Sequence, residues 1–554
     1  MRRLDERATD SDRRLPIAPG LVERDLRADG VNPVERPRKT RPSPLPSPRF
    51  PILPSSPDPG TPGATGESTV VEFLGEGLTY DDVLLVPQMA SALPRDVVTA
   101  TRFCRGVELQ VPIVAAAMDT VTESRMAVAL AQQGGIGIVH KNLSVDKQVG
   151  EVDKVKRSAN GVIVDPVALS PDDTVGRAKD LMRDHKISGL PVVDGSRKVV
   201  GILTSRDLRF VDDRDARVSL VMTANNLVKA PPDTTLDQAR QILKSNKVEK
   251  LILVGADGRL AGLITMKDIR GTEEFPNAAR DPRGRLLVGA AVGVHDLERV
   301  GRLVEAGCDV VVVDTAHGHS KNVIDTVRAI KQQSDIPVVA GNVGTFDGAK
   351  ALVDAGADGV KVGIGPGSIC TTRIVTGCGV PQLTAVLEAV KACAPAGVPV
   401  IADGGIRQSG DIVKALAAGA SSVMLGSLLA GLEESPGETI LYRGRQFKTV
   451  RGMGSLGAME QGSADRYAQA EVTDKQKFVP EGVEGMVPYK GLVADFIYQL
   501  AGGLRSGMGY CGARTLAELT AKSQFLRVTP AGLRESHPHD IQITKEAPNY
   551  TGEA

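Results

Sequence analysis

The sequence predicts an α/β protein: a (β/α)8 (TIM) barrel interrupted by an inserted pair of repeats and preceded by a disordered extension. Short apolar runs alternate with segments of helical periodicity, which is typical of parallel strands that are buried on both faces. Between residues 147 and 272 this rhythm stops and the chain repeats itself. A length of 554 residues also exceeds what one core usually organises, so we expect more than one folded unit.

Composition narrows the class of protein. Lys+Arg and Asp+Glu both number 67, so charge gives no reason to expect nucleic acid or an anionic membrane as the main partner. We find no apolar run of membrane-spanning length and no signal-peptide core, and we expect a cytoplasmic protein. The six cysteines include no Cys-x-x-Cys pair, which argues against a zinc site or a disulfide framework and for one or two reactive thiols.

Residues 1–66 form the predicted extension. They are rich in proline, carry mixed charge and contain hardly any aromatic residue, so they cannot bury enough apolar area to offset the entropy of ordering. A transit peptide is one alternative, although such peptides avoid acidic residues such as Asp5 and Glu6. A misassigned start codon is another.

The barrel is predicted from eight strand candidates, two in residues 67–146 and six in residues 273–554. They are 111–118, 134–140, 286–292, 310–314, 336–342, 359–363, 398–403 and 421–426. Since loops tolerate insertions, the interruption after the second strand need not disturb the barrel. The second part also contains a flap at about 440–490 and a carboxyl-terminal segment.

The inserted segment, residues 147–272, contains two Gly-h-h-Thr-x-x-Asp motifs (h, hydrophobic) at 201–207 and 262–268, offset by 61 residues. The pair resembles a tandem cystathionine-β-synthase (CBS, or Bateman) domain. The resemblance implies a regulatory purine nucleotide whose ribose is held by Thr204, Asp207, Thr265 and Asp268. The alternative is that Thr and Asp only cap the helix that follows each strand.

A glycine-rich loop at 363–373, Gly-Ile-Gly-Pro-Gly-Ser-Ile-Cys-Thr-Thr-Arg, follows the strand candidate 359–363. Glycines let the backbone come close to a ligand, and Cys370 would lie beyond the carboxyl end of a strand, where barrel enzymes keep their chemistry. This pattern indicates a cysteine nucleophile. The alternative is a small packed hydrophobe beside a tight turn.

Polar residues that end the other strands should converge on the same face of the barrel. They are Met118 with Asp119, Asp314, Asn342, the run Asp403-Gly-Gly405, and Gly426 with Ser427. The last two groups follow strands seven and eight, where barrels often bind phosphate through backbone N–H groups. Asp403 would lie too close to such a site to be a phosphate ligand, so we expect it to bind a sugar hydroxyl. For each acid alone, the alternative is a structural cap.

Six segments, together with the inserted pair, resemble the inosine-5′-monophosphate (IMP) dehydrogenases of the IMP dehydrogenase/GMP reductase family. The segments are 116–123, Asp314, 340–342, 365–373, 402–406 and 451–459 (Arg-Gly-Met-Gly-Ser-Leu-Gly-Ala-Met). The resemblance implies an NAD-dependent oxidation of IMP to XMP, the committed step of guanine nucleotide synthesis. It also implies a bound potassium ion and a homotetramer, and it leaves open an octamer formed through the CBS pair.

The resemblance also implies the roles of individual residues. The Cys370 thiolate attacks C2 of the hypoxanthine, and Thr372, Arg466 and Tyr467 hydrolyse the thioimidate from a mobile flap. The residues implied for IMP are Ser368, Asp403, Gly404, Gly405, Gly426, Ser427, Met453, Gly454 and Glu481, and those for NAD are Asp314, Asn342, Gly363 and Gly365. Those implied for potassium are Gly365, Gly367 and Cys370, completed by Glu535, Ser536 and His537 of a neighbouring subunit.

Two positions depart from the family. Val450 stands where the family usually has Tyr, and Ala468 where Phe is common; we expect weaker IMP binding from the first change and altered flap closure from the second. Two other functions stay open. A GMP reductase would share the barrel and the cysteine loop, but we expect it to lack the inserted pair and to have Ser in place of Gly454. A regulatory nucleotide-binding protein with a decayed catalytic half would not be expected to retain Cys370, Thr372 and Arg466.

Overall fold

The structure is a computed structural model that describes residues 73–90, 93–158, 163–164, 166–185 and 187–550. The predicted disordered extension, residues 1–66, lies outside these described residues. No helix in the described ranges is both long enough and apolar enough to span a bilayer.

The strands are short, as is usual for a barrel protein. In chain order they are β1 (Val83–Leu85), β2 (Thr101–Cys104), β3 (Val107–Leu109), β4 (Ile113–Ala115), β5 (Ile136–Val139), β6 (Ile163–Val164), β7 (Gly189–Val193), β8 (Val199–Thr204), β9 (Lys229–Ala230), β10 (Lys250–Val254), β11 (Leu260–Thr265), β12 (Val288–Val292), β13 (Val310–Asp314), β14 (Val338–Val343), β15 (Gly359–Val362), β16 (Val400–Asp403), β17 (Ser422–Leu425), β18 (Thr439–Tyr442), β19 (Arg445–Arg451), β20 (Glu484–Pro488) and β21 (Phe525–Arg527).

Most barrel strands are followed by a helix. In chain order the helices are α1 (Ser124–Gln132), α2 (Val145–Ser158), α3 (Val175–Asp184), α4 (Val218–Val221), α5 (Leu236–Asn246), α6 (Met266–Glu274), α7 (Leu297–Glu305), α8 (Lys321–Gln333), α9 (Phe346–Asp354), α10 (Thr372–Thr376), α11 (Gln382–Cys393), α12 (Ser409–Ala417), α13 (Ser427–Ala430), α14 (Leu456–Glu460), α15 (Val493–Tyr510), α16 (Leu516–Lys522) and α17 (Pro530–Glu535). Single 3-10 turns occur at Tyr80–Asp82, Pro94–Asp96, Ala394–Ala396, Ser463–Tyr467 and Lys475–Lys477.

Eight parallel strands close the predicted barrel in the order β12-β13-β14-β15-β16-β17-β4-β5. All eight strand candidates are confirmed, and β5 pairs with β12 across the inserted segment. Within β13, Val310 and Val312 pack in a cluster with Phe103 of the β2–β3 hairpin. Val311 and Val313 pack in the larger cluster with the surrounding helices. Because both faces of each strand are covered, the strands are apolar at nearly every position.

The inserted segment forms a sheet β6-β11-β10-β9 and a hairpin β7-β8. The hairpins β7–β8 and β10–β11 are both antiparallel, and their pairs Gly189↔Thr204 and Lys250↔Thr265 occupy the same position in each repeat. The sequence repeat is therefore also a structural repeat. Helix α2, by contrast, packs on α1, α7 and β12, which are barrel elements.

Lys156, near the end of α2, is buried at the junction between the barrel and the insert. Its Nζ donates hydrogen bonds to Asp309 Oδ1 (2.8 Å), Asp281 Oδ2 (3.2 Å) and the Leu286 carbonyl (3.0 Å). A buried ammonium needs such partners to offset its desolvation. The contact joins the chain that leaves the barrel to the chain that returns to it.

Candidate active site

Two adjoining cavities open at the carboxyl ends of the barrel strands, with volumes of about 140 and 330 Å³. Both are lined by Met118, Gly367 and Asp403. The smaller cavity, which we call the cysteine cavity, is also lined by Asp314, Asn342, Gly363, Gly365, Cys370, Thr372, Gly404, Met453, Gly454, Arg466, Tyr467 and Glu481. The larger, which we call the serine cavity, is also lined by Ser368, Gly404, Gly405, Gly426 and Ser427. The fold thus brings together every residue predicted for catalysis, substrate and cofactor.

The cysteine loop connects β15 to α10 and is held by the arginine that ends its motif. Arg373 Nε donates to the Ile364 carbonyl (3.0 Å) and Nη2 to the Val380 carbonyl (2.6 Å). Gly365 has φ +75°, and a Cβ there would lie 2.6 Å from Arg373 Cγ, so the loop needs glycine at this position. Burial lowers the pKa of Arg373. The arginine side chain therefore serves as a brace behind Cys370.

Cys370 is half-buried and begins a chain of polar contacts. Its Sγ lies 3.2 Å from Thr372 Oγ1, and Thr372 Oγ1 donates to Glu481 Oε2 at 2.7 Å. The Thr371 N–H donates to the Glu481 carbonyl (2.9 Å), which fixes the flap strand beside the loop. Because the threonine hydroxyl donates to the carboxylate, its lone pairs face the sulfur and the cavity, ready to accept a proton from the thiol or from water.

Lys361 was not singled out from the sequence, yet it connects three predicted ligand residues. It is 1% exposed, and its Nζ lies 2.8 Å from both Asp314 Oδ1 and Asp403 Oδ2 and contacts Asn342 Oδ1. Asn342 Nδ2 also donates to Asp403 Oδ2 (2.9 Å). The sequence feature that could have identified Lys361 is a lysine inside an apolar strand. A buried lysine needs an anionic partner, so such a lysine predicts a carboxylate nearby.

Asp403 keeps one oxygen for a ligand. Its Oδ2 accepts from Lys361 and Asn342, whereas Oδ1 accepts no hydrogen bond from the residues that the structure describes. A carboxylate oxygen with free lone pairs suits a sugar hydroxyl. This geometry agrees with the role expected of Asp403.

The flap leaves β19 at Arg451 and returns at β20. Its Arg466 forms an ion pair with Asp314, and Arg466 Nε is buried without a hydrogen-bond partner among the described residues. Tyr467 packs on Gly454, and burial raises the pKa of its hydroxyl. The flap therefore places a cation and a phenol in the cysteine cavity.

The serine cavity has the features of a phosphate site. Ser368 Oγ and Ser427 Oγ lie 2.5 Å apart, although they are 59 residues apart in the chain. Gly404 has φ +89°, and a Cβ there would lie 2.9 Å from Pro366 Cγ, so only glycine leaves the backbone close to the cavity. Hydroxyls and backbone N–H groups of this kind bind phosphate oxygens.

The residues predicted for potassium are brought together only in part. Gly365, Gly367 and Cys370 line the cysteine cavity, and main-chain carbonyl oxygens suit this cation. Glu535 ends α17 and is followed by Ser536 and His537; no hydrogen bond or cavity of the described residues joins these three to the loop. The Gly367 carbonyl accepts a hydrogen bond from the Cys370 N–H (3.1 Å), so a potassium site in this loop stays a prediction.

In the insert, Thr204 is hydrogen-bonded to Asp207, the last residue of the same Gly-h-h-Thr-x-x-Asp motif. Thr204 N and Oγ1 both donate to Asp207 Oδ2 at 2.7 Å, which is the local capping arrangement. Thr265 ends β11, and the side chain of Asp268 is not among those described. A ligand role for Thr204, Asp207, Thr265 and Asp268 stays a prediction.

The two departures from the family lie in different settings. Val450 is 2% exposed, belongs to the main core cluster and lines neither cavity. Weaker IMP binding through Val450 therefore stays a prediction. Ala468 has φ +56° directly after Tyr467, a conformation that disfavours residues with a Cβ.

Three relatives show what the chain is similar to. The inosine-5′-monophosphate dehydrogenases of Halalkalibacterium halodurans and Aquifex aeolicus are 59% and 60% identical, each over 87% of this chain and 99% of the relative. That of Bacillus subtilis is 57% identical over the same shares.

A solved structure of GMP reductase from Trypanosoma brucei in complex with guanosine 5′-monophosphate matches with a TM-score of 0.77 and 43% identity. It covers 85% of this chain and 99% of its own, and a share of this size extends into the insert. The expectation that the inserted pair separates GMP reductases from IMP dehydrogenases is therefore wrong.

The family model described as "IMP dehydrogenase / GMP reductase domain" matches residues 77–539. This range includes the whole barrel, the flap and the insert. The chain belongs to the IMP dehydrogenase/GMP reductase family.

Proposed function

We propose that this protein is an NAD-dependent IMP dehydrogenase that oxidises IMP to XMP through a covalent bond to Cys370. The observation that carries the proposal is the convergence of Cys370, Thr372, Arg466 and Tyr467 on one cavity, next to a second cavity with phosphate-binding features. The relatives named inosine-5′-monophosphate dehydrogenase support the choice of substrate.

The serine cavity binds the nucleotide end of IMP. The hydroxyls of Ser368 and Ser427 and the backbone near Gly405 hold the phosphate, and Asp403 Oδ1 accepts a hydrogen bond from the ribose. The purine then extends into the cysteine cavity, with C2 facing Cys370. Holding both ends in this way converts the attack into a unimolecular step.

In the first step the thiolate of Cys370 forms a bond to C2, and the hydrogen on C2 leaves as hydride. NAD, when bound beside Asp314, supplies the hydride acceptor. Thr372 lies 3.2 Å from the sulfur and orients it. Lys361 keeps Asp314 and Asp403 in place on either side of the reacting atoms.

In the second step water attacks C2 and the C–S bond breaks, which releases XMP and the Cys370 thiolate. Thr372 Oγ1 can accept the proton that this water loses and pass its own proton to the Glu481 carboxylate, to which it is hydrogen-bonded. Arg466 is cationic under ordinary conditions, so we assign it the placement of water through its unpartnered Nε. Tyr467 packs beside it and excludes other solvent.

Hydride transfer and hydrolysis use the space beside Asp314 one after the other. The Asp314 side chain is 7% exposed and pairs with Lys361 and Arg466. A cofactor ribose can reach Asp314 only after Arg466 leaves, so the flap and the reduced cofactor exclude each other. The ion pair between Arg466 and Asp314 supports assigning this flap position to the hydrolytic step.

GMP reductase is the second candidate, favoured by the similarity to the trypanosomal structure. One contact argues against it. A Cβ at position 454 would lie 2.6 Å from the Tyr467 ring, so the serine expected there in a GMP reductase excludes this placement of Tyr467. Glycine at 454 therefore supports the dehydrogenase.

Steady-state assays separate the candidates. We expect NADH formation from IMP and NAD, stimulated by potassium, and no comparable NADPH consumption with GMP. A Cys370→Ala variant that turned over IMP as fast as the parent would exclude the proposed chemistry. Activity seen only with GMP would establish the reductase, and none with either would favour the regulatory protein.

We further propose a cytoplasmic homotetramer in which a neighbouring subunit's carboxyl-terminal segment completes the potassium site. The inserted pair would bind a purine nucleotide and regulate the barrel. Because α2 packs with barrel helices, we place the start of this regulatory unit after Ser158 rather than at residue 147. Adding each purine nucleotide to the assay tests the regulation.

A further inference from the structure

Two adjacent flap residues of opposite charge each contact a barrel residue of opposite charge. Asp465 pairs with Lys141, which follows β5, and Arg466 pairs with Asp314, which ends β13. The residues of each pair are far apart in sequence, and the two barrel partners come from different strands. The flap is thus attached by two neighbouring ion pairs of opposite polarity.

The pair between Lys141 and Asp465 is partly enclosed. The Lys141 side chain is 7% exposed, and that of Asp465 is 31% exposed. A Cβ at Gly293, just after β12, would lie 2.7 Å from Asp465 Oδ2. The glycine therefore leaves the space that the carboxylate occupies. Shielding from water strengthens the attraction between the two charges, while burial lowers the pKa of Lys141, so the lysine depends on Asp465 to stay charged.

Arg299, another cation near Lys141, is already engaged. Arg299 donates to Asp296 (2.6 Å), to Gln148 Oε1 (2.8 Å) and to the Leu143 carbonyl (3.2 Å). Lys141 is therefore the partner that Asp465 depends on in this arrangement.

The residue after Lys141 also contacts the flap. Asn142 Nδ2 donates to the Ala458 carbonyl (3.2 Å) and to Asp119 Oδ2 (2.8 Å), and a Cβ at Gly462 would lie 3.1 Å from Asn142 Oδ1. Lys141 and Asn142, adjacent residues after β5, therefore both contact the flap, at Asp465 and at Ala458.

We propose that Lys141 and Asp465 are positioning residues that set the register of the flap, so that Arg466 and Tyr467 face Cys370. Neither lines a cavity, so they act through the placement of their neighbours. A slip of one residue would bring Asp465 to Asp314 in one direction or Arg466 to Lys141 in the other, and either slip creates a repulsive contact in a poorly solvated place. The charge pattern selects one docked position.

This proposal rests on the proposed function, in which the docked flap serves hydrolysis and not hydride transfer. It predicts a selective defect in Lys141→Met and Asp465→Asn. The first burst of NADH should keep its amplitude, the steady-state rate should fall about tenfold, and the covalent adduct on Cys370 should accumulate in intact-protein mass spectra. Lys141→Arg should stay within about threefold of the parent because it keeps the charge.

The double variant Lys141→Met/Asp465→Asn should be no slower than either single variant, because both remove the same contact. Lys475→Met is the matched control: Lys475 is an exposed flap lysine, and this variant should behave as the parent. Steady-state rates of Lys141→Met equal to those of the parent would overturn the proposal, and so would additive defects in the double variant.

Hydrogen exchange of the ligand-free protein gives a readout that needs no activity. Amides of residues 455–470 should exchange faster in Lys141→Met than in the parent, while the barrel strands keep their protection. If the flap amides exchanged equally fast in both proteins, the proposed role of the Lys141–Asp465 pair would be refuted, even if the parent proves inactive. If instead the parent makes no NADH from IMP, the proposed function fails, and the exchange result still decides the docking contact.

Discussion

The ring of Tyr467 lies directly on the backbone of Gly454: a Cβ built at Gly454 would stand 2.6 Å from Tyr467 Cζ and 2.8 Å from its Oη. We expect Gly454→Ser to push Tyr467 out of the cysteine cavity. Misplacement of a catalytic group by about 1 Å can cost roughly 10²-fold in rate, so hydrolysis of the covalent intermediate should slow by about that factor. Stopped-flow NADH formation, burst against steady state, measures this.

A second flap glycine supplies the control for that substitution. A Cβ at Gly485, in β20, meets no atom within 4 Å, so Gly485→Ala should leave both phases unchanged. If both variants slowed the steady state equally, the contact with Tyr467 would not be the cause.

Lys361→Met should damage both ligand sites and the fold. The substitution leaves Asp314 and Asp403 facing each other without their shared cation, and loss of one partner of a buried pair costs about 3–5 kcal/mol. We expect a lower midpoint of urea unfolding, together with raised KM values for IMP and NAD. Lys361→Arg keeps the charge and should lose less stability. A methionine variant as stable as the parent would contradict this description of the buried cluster.

Thr372→Val should slow hydrolysis more than hydride transfer. Valine has the shape of threonine but cannot link Cys370 to Glu481, whose contacts with Thr372 Oγ1 are 3.2 and 2.7 Å. Proton relays of this kind contribute about 10²–10⁴-fold. Thr372→Ser, which keeps the hydroxyl, should retain most activity. Equal loss in the serine and valine variants would rule out the relay.

Thiol labelling should distinguish the buried cysteines from the accessible ones. Burial raises the pKa of Cys308 and Cys393 to about 12 and also raises those of Cys104 and Cys511. Only the thiolate reacts with iodoacetamide, so the four buried thiols should stay unlabelled at about pH 7, whereas Cys370 and Cys378 are accessible to the reagent. Peptide mass spectrometry reads each site, and IMP should protect Cys370 but not Cys378. Labelling of Cys308 in the folded protein below about pH 10 would contradict its burial.

The barrel could be predicted because its signal is local. Each strand is buried on both faces, so each appears in the sequence as an unbroken apolar run, and a polar residue marks its end. The serine and cysteine cavities follow from that pattern, since the ends of parallel strands meet at one face. The same reasoning predicts Asp314 and Asp403 near Cys370, and all three line the cysteine cavity.

What the sequence could not provide are contacts between distant residues. Lys361 is visible as a charge in an apolar strand, but its partners come from β13, β14 and β16, and no spacing rule links them. Lys141 and Asp465 are 324 residues apart. The helical periodicity of α2 is the same whether it covers the barrel or the insert, so periodicity alone does not reveal that α2 packs on α1, α7 and β12.

The buried contacts of Lys156 with Asp281 and Asp309 hold together the two points where the chain departs from the barrel and rejoins it. All three residues lie on the barrel side of that junction. Recombination that removed or exchanged the intervening repeats would leave these ion pairs of Lys156 intact. The two ends of the barrel segment are therefore joined without help from the repeats, and an engineer could replace the repeats with another domain at this point without redesigning the barrel.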